Sequence, residues 1–363
     1  MKKILLMTIC CLLALSTTAY TQSLDSTLQR LAGDAAKSYV SPIVSGFGSD
    51  LNAGWFHRAP SAKMFGIDLE FGFVAMGTFF AEENKSFATS GDFRFNKTQA
   101  TAMTNFVQNY ALPQNKKDEL QNAMISAITG VDFNVGIAGP TIIGPKADSM
   151  KITFAQRTIT TNTSLGSRTD TIPGQIIPLP VGGILDGVTL VPFFAPQLSI
   201  GTFVGTQFTF RYLPSVKVSA DIGEFKYFGF GVQHNPGIWF PNPLPVDLSV
   251  SYFTQTLDVG TIFSTKTSAF GVNVSKRFGP GALNITPYAG FLIESSTMTF
   301  TYDYNVELAN GQIQANHITF DLEGENKSRI TLGLSLKILF LNVNADYNLG
   351  KYNSASAGLM FII

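Results

Sequence analysis

Apolar and polar residues alternate over long segments of the C-terminal half of the chain. In the clearest segment, residues 341–349, Leu, Val, Ala and Tyr alternate with Asn and Asp. The same two-residue period recurs over residues 247–252, 270–275, 298–304 and 329–338. Because successive side chains of a β-strand point to opposite faces, this period predicts a series of strands, each with one apolar and one polar face.

Two folds fit such strands, a soluble β-sandwich and a transmembrane β-barrel. The composition favours the barrel. Charged residues make up only 14% of the chain, aromatic residues make up 12%, and Phe alone occurs 31 times, whereas soluble domains carry about 25% charged residues. We therefore predict an all-β fold, an antiparallel transmembrane β-barrel of the cell outer membrane with an even number of strands, about 12 or 14.

The first residues resemble a secretory signal peptide. Two lysines precede the apolar stretch Ile4–Leu15, and small residues follow up to Ala19. This stretch is shorter than the roughly 20 residues that a spanning helix needs. We predict export with cleavage after residue 19, which removes both cysteines, Cys10 and Cys11. Lipid modification of one of these cysteines is the alternative.

Residues 20–64 are predicted to form a short N-terminal helix and a plug-like segment. The residues of Leu24–Lys37 have helical spacing, and the glycines of residues 46–54 predict an irregular, hinged chain after the helix. The barrel domain is expected to cover residues 65–363 and to begin with a strand over residues 65–80.

A helical insertion is predicted in the first extracellular loop of the barrel, over residues 98–129. Residues 98–109 and 116–129 both show helical spacing. A loop of this length is uncommon unless it has a function or is disordered. The polar and then Pro/Gly-rich residues 158–187 predict a second long loop.

The strand number depends on two ambiguous segments. Residues 284–305 form either one long strand or a hairpin, and residues 315–339 allow the same two interpretations. The last strand, Tyr352–Ile363, is apolar and carries Phe361 near its end. Outer-membrane barrels commonly close with such a strand, and this resemblance implies insertion by the barrel-assembly machinery.

Candidate chemistry is sparse in this sequence. The 25 basic and 25 acidic residues balance, so no net field attracts nucleic acid. His57, His234 and His317 lie far apart in sequence, and no phosphate-binding loop or Gly-x-Ser-x-Gly motif occurs. We expect no metal site, no cofactor and no catalysis. An embedded enzyme would require one of these histidines to cluster with a Ser or an Asp.

Seven charged residues fall on the polar faces of their strands and are predicted to line the lumen: Asp68, Glu70, Arg211, Asp247, Arg277, Lys337 and Asp346. In a narrow lumen they would pair as structural networks, and in a wide one they would line a water path.

Residues 234–245 contain too many prolines for a strand and predict an apolar loop, at the rim among lipid headgroups or in a ligand groove. The candidate contacts of an apolar ligand are Trp55, Phe56, Met124, Ile128, Trp239 and Phe240.

Several stretches, including Gly46–His57, Gly66–Gly77 and Phe228–His234, resemble a domain family of exported bacterial proteins that has no assigned activity. More remotely, the N-terminal segment, the helical insertion and the even-stranded barrel resemble the FadL-type long-chain fatty-acid channels. Residues 51–54, Leu-Asn-Ala-Gly, stand in place of their Asn-Pro-Ala-Gly element. This second resemblance implies a lumen plugged by the N-terminal segment and extracellular helices that form an apolar capture groove.

Two functions are expected. The first is passive transport of small hydrophobic molecules through a barrel plugged by residues 20–64, with the helices of residues 98–129 as an outer lid. The alternative is a non-transporting outer-membrane scaffold for surface display or secretion. The expected partners are outer-membrane lipid, the barrel-assembly machinery and, for the first function, a hydrophobic small molecule. The oligomeric state stays open.

Overall fold

The structure is a computed structural model that describes residues 24–219, 223–260, 263–307 and 313–363. The predicted signal peptide, residues 1–19, lies outside these residues. None of the helices in the described part of the chain is long and apolar enough to cross a membrane.

The chain contains three α-helices and seventeen β-strands within its described residues, together with short 3-10 turns. In chain order they are α1 (Leu24–Asn52), β1 (Phe65–Phe79), β2 (Ser86–Phe93), α2 (Lys97–Thr104), α3 (Gln114–Thr129), β3 (Phe133–Pro140), β4 (Met150–Phe154), β5 (Arg157–Thr163), β6 (Gly166–Ile172), β7 (Gln175–Leu179), β8 (Leu190–Phe203), β9 (Thr206–Ser219), β10 (Gly223–His234), β11 (Asp247–Val259), β12 (Phe263–Ser275), β13 (Leu283–Glu307), β14 (Ile313–Glu323), β15 (Ser328–Ile338), β16 (Leu341–Leu349) and β17 (Ser354–Ile362). These elements divide into two compact units, one of residues 41–81 and 188–363 and the other of the chain up to residue 40 with residues 82–187.

The unit of residues 41–81 and 188–363 is a closed antiparallel β-barrel. Its ring follows the order β1, β8, β9, β10, β11, β12, β13, β15, β16 and β17, and the pairing of β17 with β1 completes the circle. Closure leaves the ring without an unpaired strand edge. The predicted antiparallel barrel with an even strand number is therefore confirmed, and the sandwich alternative is wrong.

The ring has ten strands, fewer than the predicted 12 or 14. Residues 283–307 form the single strand β13, the longer of the two options that the sequence left open. The first part of β13 pairs with β15 in the ring, and its last part pairs with β14, which stands outside the ring. Also outside the ring, β2, β3, β4 and β7 form their own sheet and β5 pairs with β6.

The two faces of the barrel wall differ in polarity as the alternation predicts. The outer face carries large apolar side chains, and Phe73, Phe228 and Leu332 are each more than half exposed. The inner face carries buried Ser, Thr, Asn and Gln side chains along most of the ring, such as Ser251 and Asn344. The inside of the barrel is therefore polar at its wall, and whatever fills it must satisfy those groups.

Helix α1 is longer than the predicted Leu24–Lys37 and continues to Asn52, through residues that the sequence assigned to a glycine hinge. The glycines have a packing role instead. A Cβ atom at Gly46 would lie 3.1 Å from the Phe80 ring, and one at Gly48 would lie 2.6 Å from Ser296 Cβ. Both glycines let the helix backbone approach its neighbours closely.

The second unit combines the first part of α1 with residues 82–187. Leu31 and Ala35 of α1 are fully buried in it, and the hydroxyl of Tyr39 donates to the carbonyl of Gly182 at 2.9 Å. The predicted helices appear as α2, followed by a 3-10 turn, and α3. The predicted second long loop is wrong, because its Thr-rich first half forms the hairpin of β5 and β6.

Candidate functional site

The inside of the barrel is occupied by the segment of residues 41–60, called the plug from here on. It consists of the last turns of α1 and the irregular chain that leads to β1. Trp55 is 1% exposed and stacks on Phe253 of β11, with a ring-centroid distance of 5.1 Å. Phe56 packs edge-on against Tyr288 of β13. The plug thus packs its aromatic side chains against apolar residues of the barrel wall and forms an apolar core with them.

Two buried arginines of the wall bind the plug backbone. Arg211 of β9 lies 4.2 Å from the centre of the Trp55 ring, and its Nη1 donates to the carbonyl of Ala53 at 3.0 Å. Arg329 of β15 donates to the carbonyl of Ser49 at 2.8 Å and pairs with the Glu294 carboxylate at 2.8 Å. Because each guanidinium holds a backbone carbonyl in a dry interior, removal of either arginine would leave unpaired polar groups.

Smaller side chains continue this attachment around the ring. The Ser275 hydroxyl accepts a hydrogen bond from the Ala59 amide at 2.9 Å, and Gln255 donates to the Asn52 side chain at 2.8 Å. Next to β10, the Asn235 side chain donates to the carbonyl of Pro60 at 2.7 Å. The plug is therefore fastened to several strands and to a loop of the barrel.

An ionic cluster lies where the plug enters β1. His57 and Arg58 of the plug face Asp68 and Glu70 of β1. His57 Nε2 lies 2.7 Å from a Glu70 carboxylate oxygen, and Arg58 pairs with both acids. Glu70 is 2% exposed, so its charge is balanced within the cluster rather than by water.

Ser335 of β15 extends this cluster from the other side of His57. Its hydroxyl lies 3.4 Å from His57 Nδ1, and it accepts a hydrogen bond from the Asn342 side chain at 2.6 Å. Ser335 and His57 are 278 residues apart in sequence. No local motif could have revealed this contact, since the sequence gives the face of Ser335 on its strand but not what lies opposite it.

A polar cavity of about 270 Å³ adjoins the cluster at the end of the barrel where residue 363 lies. Its lining includes Arg58, Lys63, Asp68, Asp247, Arg277, Ser335, Lys337 and Asn342. Lys63 and Arg277 are exposed, so the cavity is open to solvent.

The predicted lumen residues fall into two groups. Glu70, Arg211 and Asp346 are buried inside the barrel, where Asp346 accepts hydrogen bonds from Tyr288 and Ser356. The other four, Asp68, Asp247, Arg277 and Lys337, line the cavity. Sequence reasoning missed the most buried ion pair, Arg329 with Glu294, although alternation already places Arg329 on the polar face of β15.

The predicted ligand contacts lie in three separate places. Trp55 and Phe56 are buried in the plug. Met124 and Ile128 of α3 are buried in the other unit, where Met124 packs with Leu120 of the same helix and with Val107. Trp239 and Phe240 are exposed on the loop between β10 and β11, and Trp239 donates to His234 Nε2 at 3.2 Å. The side chain of His317 lies outside the described residues.

No group of three or more His, Cys, Asp and Glu side chains is arranged to hold a metal ion within the described ranges.

A family model matches the chain over residues 1–363, and its description is "Family of unknown function (DUF6588)". The chain belongs to this family, in agreement with the resemblance to a family without assigned activity. No curated protein matches the chain.

Solved structures of outer-membrane barrels also align with the chain at low similarity. OmpTdeltaL8, a loop deletion mutant of the outer membrane protein OmpT of Vibrio cholerae, is 11% identical, with 83% of this chain and 100% of that chain covered and a TM-score of 0.22. The anion-selective porin from Comamonas acidovorans is 10% identical, with 82% and 99% covered and a TM-score of 0.16. The β domain of the Bordetella autotransporter BrkA is 10% identical, with 81% and 99% covered and a TM-score of 0.18. Scores of this size do not establish a common fold, and the barrel is established here by its own strand pairing.

Proposed function

We propose that this chain, a member of the DUF6588 family, resides in the outer membrane as a barrel closed by its own N-terminal segment and acts there as a non-transporting scaffold. The apolar outer face supports the membrane location. Phe73, Phe228 and Leu332 are each more than half exposed on it. Such a face is costly in water and stable against lipid tails, and a closed ring satisfies its backbone without water.

The attachment of the plug is the observation that carries the scaffold role. Wall residues on β9, β11, β12 and β15 bind it, and its aromatic side chains pack against β11 and β13. A segment that buries Trp55 to 1% exposure and accepts hydrogen bonds from two buried arginines is held as firmly as a protein core. This favours a sealed barrel over a conducting one.

The loops favour one orientation. Short turns connect the strands at the end of the barrel where residue 363 lies. One turn joins β8 to β9 between Phe203 and Thr206, and another joins β15 to β16 between Ile338 and Leu341. Outer-membrane barrels have short turns on the periplasmic side and long loops outside the cell. The long connection between β1 and β8 begins after Phe79 and ends before Leu190, at the other end of these strands, so under this proposal it is extracellular and available to a partner.

Passage of small hydrophobic molecules, which the FadL resemblance implies, is the second candidate. Its support is the apolar cluster inside the barrel around Trp55, Phe56 and Phe253. A molecule could pass only if the plug left this cluster, so transport requires a plug that moves. Insertion by the barrel-assembly machinery stays a prediction under either function.

Conductance in planar lipid bilayers tests the sealed barrel. The wild-type chain is expected to give no stable current steps, and a variant without residues 24–60 is expected to give them, because the lumen loses its filling. Trp55→Ala serves as a second variant that keeps the whole chain, and Trp239→Ala is the matched control with an exposed tryptophan. Steps of the same size from the wild type and the deletion variant would contradict the proposal.

Proteoliposomes separate the two candidate functions. The measurement is the rate at which a small apolar fluorescent dye equilibrates across the bilayer. If this rate with the wild-type chain exceeds neither that with Trp55→Ala nor that of empty liposomes, transport is excluded. Faster equilibration by the wild type, without ionic conductance, would instead support a mobile plug and overturn the scaffold role.

A further inference from the structure

Ser335, His57 and Glu70 form a continuous chain of polar contacts at the rim of the barrel interior. The Ser335 hydroxyl lies 3.4 Å from His57 Nδ1, and His57 Nε2 lies 2.7 Å from a Glu70 carboxylate oxygen. A hydroxyl, an imidazole and a carboxylate in this order are the parts of a nucleophile activated by an oriented base. Contacts between such groups are often long before substrate binds, so 3.4 Å is compatible with the role.

The residues around Ser335, His57 and Glu70 indicate which atoms donate and which accept in these contacts. An ionised carboxylate only accepts hydrogen bonds, so His57 Nε2 donates to Glu70, and the neutral tautomer with this hydrogen has an electron pair at Nδ1 for the Ser335 hydroxyl. Asn342 donates to the Ser335 oxygen at 2.6 Å, which leaves the hydroxyl hydrogen of Ser335 to point at His57 Nδ1. Arg58 pairs with Glu70 and balances its charge in its buried position.

The serine also faces a space that a small substrate could occupy. Ser335 lines the cavity of about 270 Å³ that is open to solvent. Lys337 lies two residues further along β15 on the same face and lines the same cavity. An ammonium group in this lining can stabilise negative charge that develops on a substrate in the cavity.

We propose that Ser335, His57 and Glu70 form a catalytic centre that hydrolyses small carboxylic esters. Ser335 Oγ bonds to the carbonyl carbon of the ester and its proton moves to His57 Nδ1, while the carbonyl oxygen takes the negative charge within the cavity that Lys337 lines. The bond to the alcohol oxygen then breaks, and His57 returns the proton to the departing alcohol. Water releases the acyl group by the same steps, so that one ester and one water give one acid and one alcohol.

This centre departs from the expectation of no catalysis and meets the condition set for an embedded enzyme, a histidine that clusters with a serine. It does not depend on a sealed lumen, because the cavity is reached from the end of the barrel where residue 363 lies. Conductance and ester hydrolysis can therefore fail independently of each other.

The test uses the full chain, folded in detergent micelles, with diisopropyl fluorophosphate as a small serine-directed probe. Mass spectrometry of peptides is expected to find one adduct, on Ser335. Hydrolysis of p-nitrophenyl acetate is expected to fall to background in Ser335→Ala and at least about 100-fold in His57→Gln, the usual scale for loss of a general base. Labelling of Ser335 reports on nucleophilicity and is not affected by a merely structural role of the cluster.

Ser199→Ala is the matched control, since Ser199 is an equally buried lumen serine whose hydroxyl forms a hydrogen bond with Thr209 of the neighbouring strand. It is expected to keep labelling and hydrolysis at the wild-type level. Each variant is checked for its folded mobility on gels before use. If folded wild-type protein shows no adduct on Ser335, or if Ser335→Ala hydrolyses the ester as fast as the wild type does, the proposal is overturned.

Discussion

Trp55 makes two contacts with the barrel wall and a third within the plug. Its ring stacks on Phe253 and lies beneath the Arg211 guanidinium, and its Nε1 donates to the carbonyl of Leu51 at 2.9 Å. Trp55→Ala removes all three and leaves a cavity, so we expect the free energy of unfolding to fall by about 3–5 kcal/mol. Urea unfolding of the purified barrel, followed by circular dichroism, measures the change.

Trp239 is the control for that substitution, because it is the other tryptophan of the chain and is 65% exposed. Trp239→Ala should change the free energy of unfolding by less than about 1 kcal/mol, since little packing is lost. Equal effects of the two substitutions would mean that the plug does not contribute to stability as its contacts indicate.

At the residue scale, the alternation predicts which face a side chain takes but not its partner. It correctly assigns Arg211, Glu70 and Asp346 to the inner face, because the period of a strand fixes that face. It cannot show that Arg211 meets Trp55 or that Ser335 meets His57, since these contacts cross the lumen between distant parts of the chain.

At the element scale, α1 offers a matched pair of glycine substitutions. A Cβ at Gly33 meets no atom within 4 Å, whereas one at Gly48 would lie 2.6 Å from Ser296 Cβ and closer still to its hydroxyl. Gly33→Ala should stabilise the protein by up to about 1 kcal/mol, the helix preference of Ala over Gly. Gly48→Ala should destabilise it, because the clash with β13 exceeds that gain. Urea unfolding of both variants measures the two signs.

The clash at Gly48 can be separated from other effects by a second change. In Gly48→Ala combined with Ser296→Gly, the side chain that obstructs the new methyl group is absent. We expect the double variant to recover part of the stability that Gly48→Ala loses. If it recovers none, the close approach of α1 to β13 is not the cause of the loss.

The link between α3 and the turn of β5 and β6 depends on the ionisation of Glu119. The Ser164 hydroxyl and backbone N–H each donate to its carboxylate at 2.6 Å, and Lys116 lies 3.1 Å away. These bonds, that of the hydroxyl first, lower the pKa of Glu119 from 4.5 to about 2. Because the folded pKa is depressed, the stabilisation is present above pH 4.5 and is lost as the pH falls through about 2.

Ser164→Ala tests this link, since it removes the hydroxyl bond and keeps the backbone bond. We expect the pKa of Glu119 to rise toward its ordinary value without reaching it. Carboxyl ¹³C NMR titration of wild type and variant gives the two midpoints, and Thr101→Ala on α2 is a control that should leave the midpoint in place. An unchanged midpoint in Ser164→Ala would show that the hydroxyl does not hold the carboxylate.

Element boundaries show why sequence patterns succeed for strands and fail elsewhere. The first strand, predicted over residues 65–80, is Phe65–Phe79, because the apolar outer face and the inside of the barrel impose the alternation along the strand. Helix α1 extends past its predicted end, since Gly46 and Gly48 make room for neighbouring side chains and do not bend the chain. Local pattern cannot distinguish a glycine that bends a chain from one that makes room for a neighbour.

At the scale of the whole molecule, the strand number could not be obtained from the pattern because alternation does not tell which sheet a strand joins. The strands β2 to β7 alternate or carry β-branched residues, yet they pair outside the ring. Ring membership is decided by pairing between distant segments, such as β1 with β17. The pairing of β1 with β17 also closes the barrel.

The register of β1 and β8 predicts that the barrel closes without residues 82–187. The pair ends with Phe79 opposite Leu190, and the Phe80 amide donates to the carbonyl of Thr189 at 3.1 Å. Opposite residues of antiparallel strands lie about 4.5–5.5 Å apart, a gap that a two-residue hairpin loop spans. A variant in which Asn-Gly replaces residues 82–187, and which also lacks residues 24–40, should therefore fold. Its unheated form should migrate on gels apart from its heated form and keep the circular dichroism of a β-sheet.

Gly72→Val in the full chain is the contrasting control, because a Cβ there would lie 2.8 Å from Met360 Cα and would separate β1 from β17. If the shortened chain gives no folded species while refolding conditions suit the wild type, the insertion takes part in barrel closure, and the two units do not fold independently.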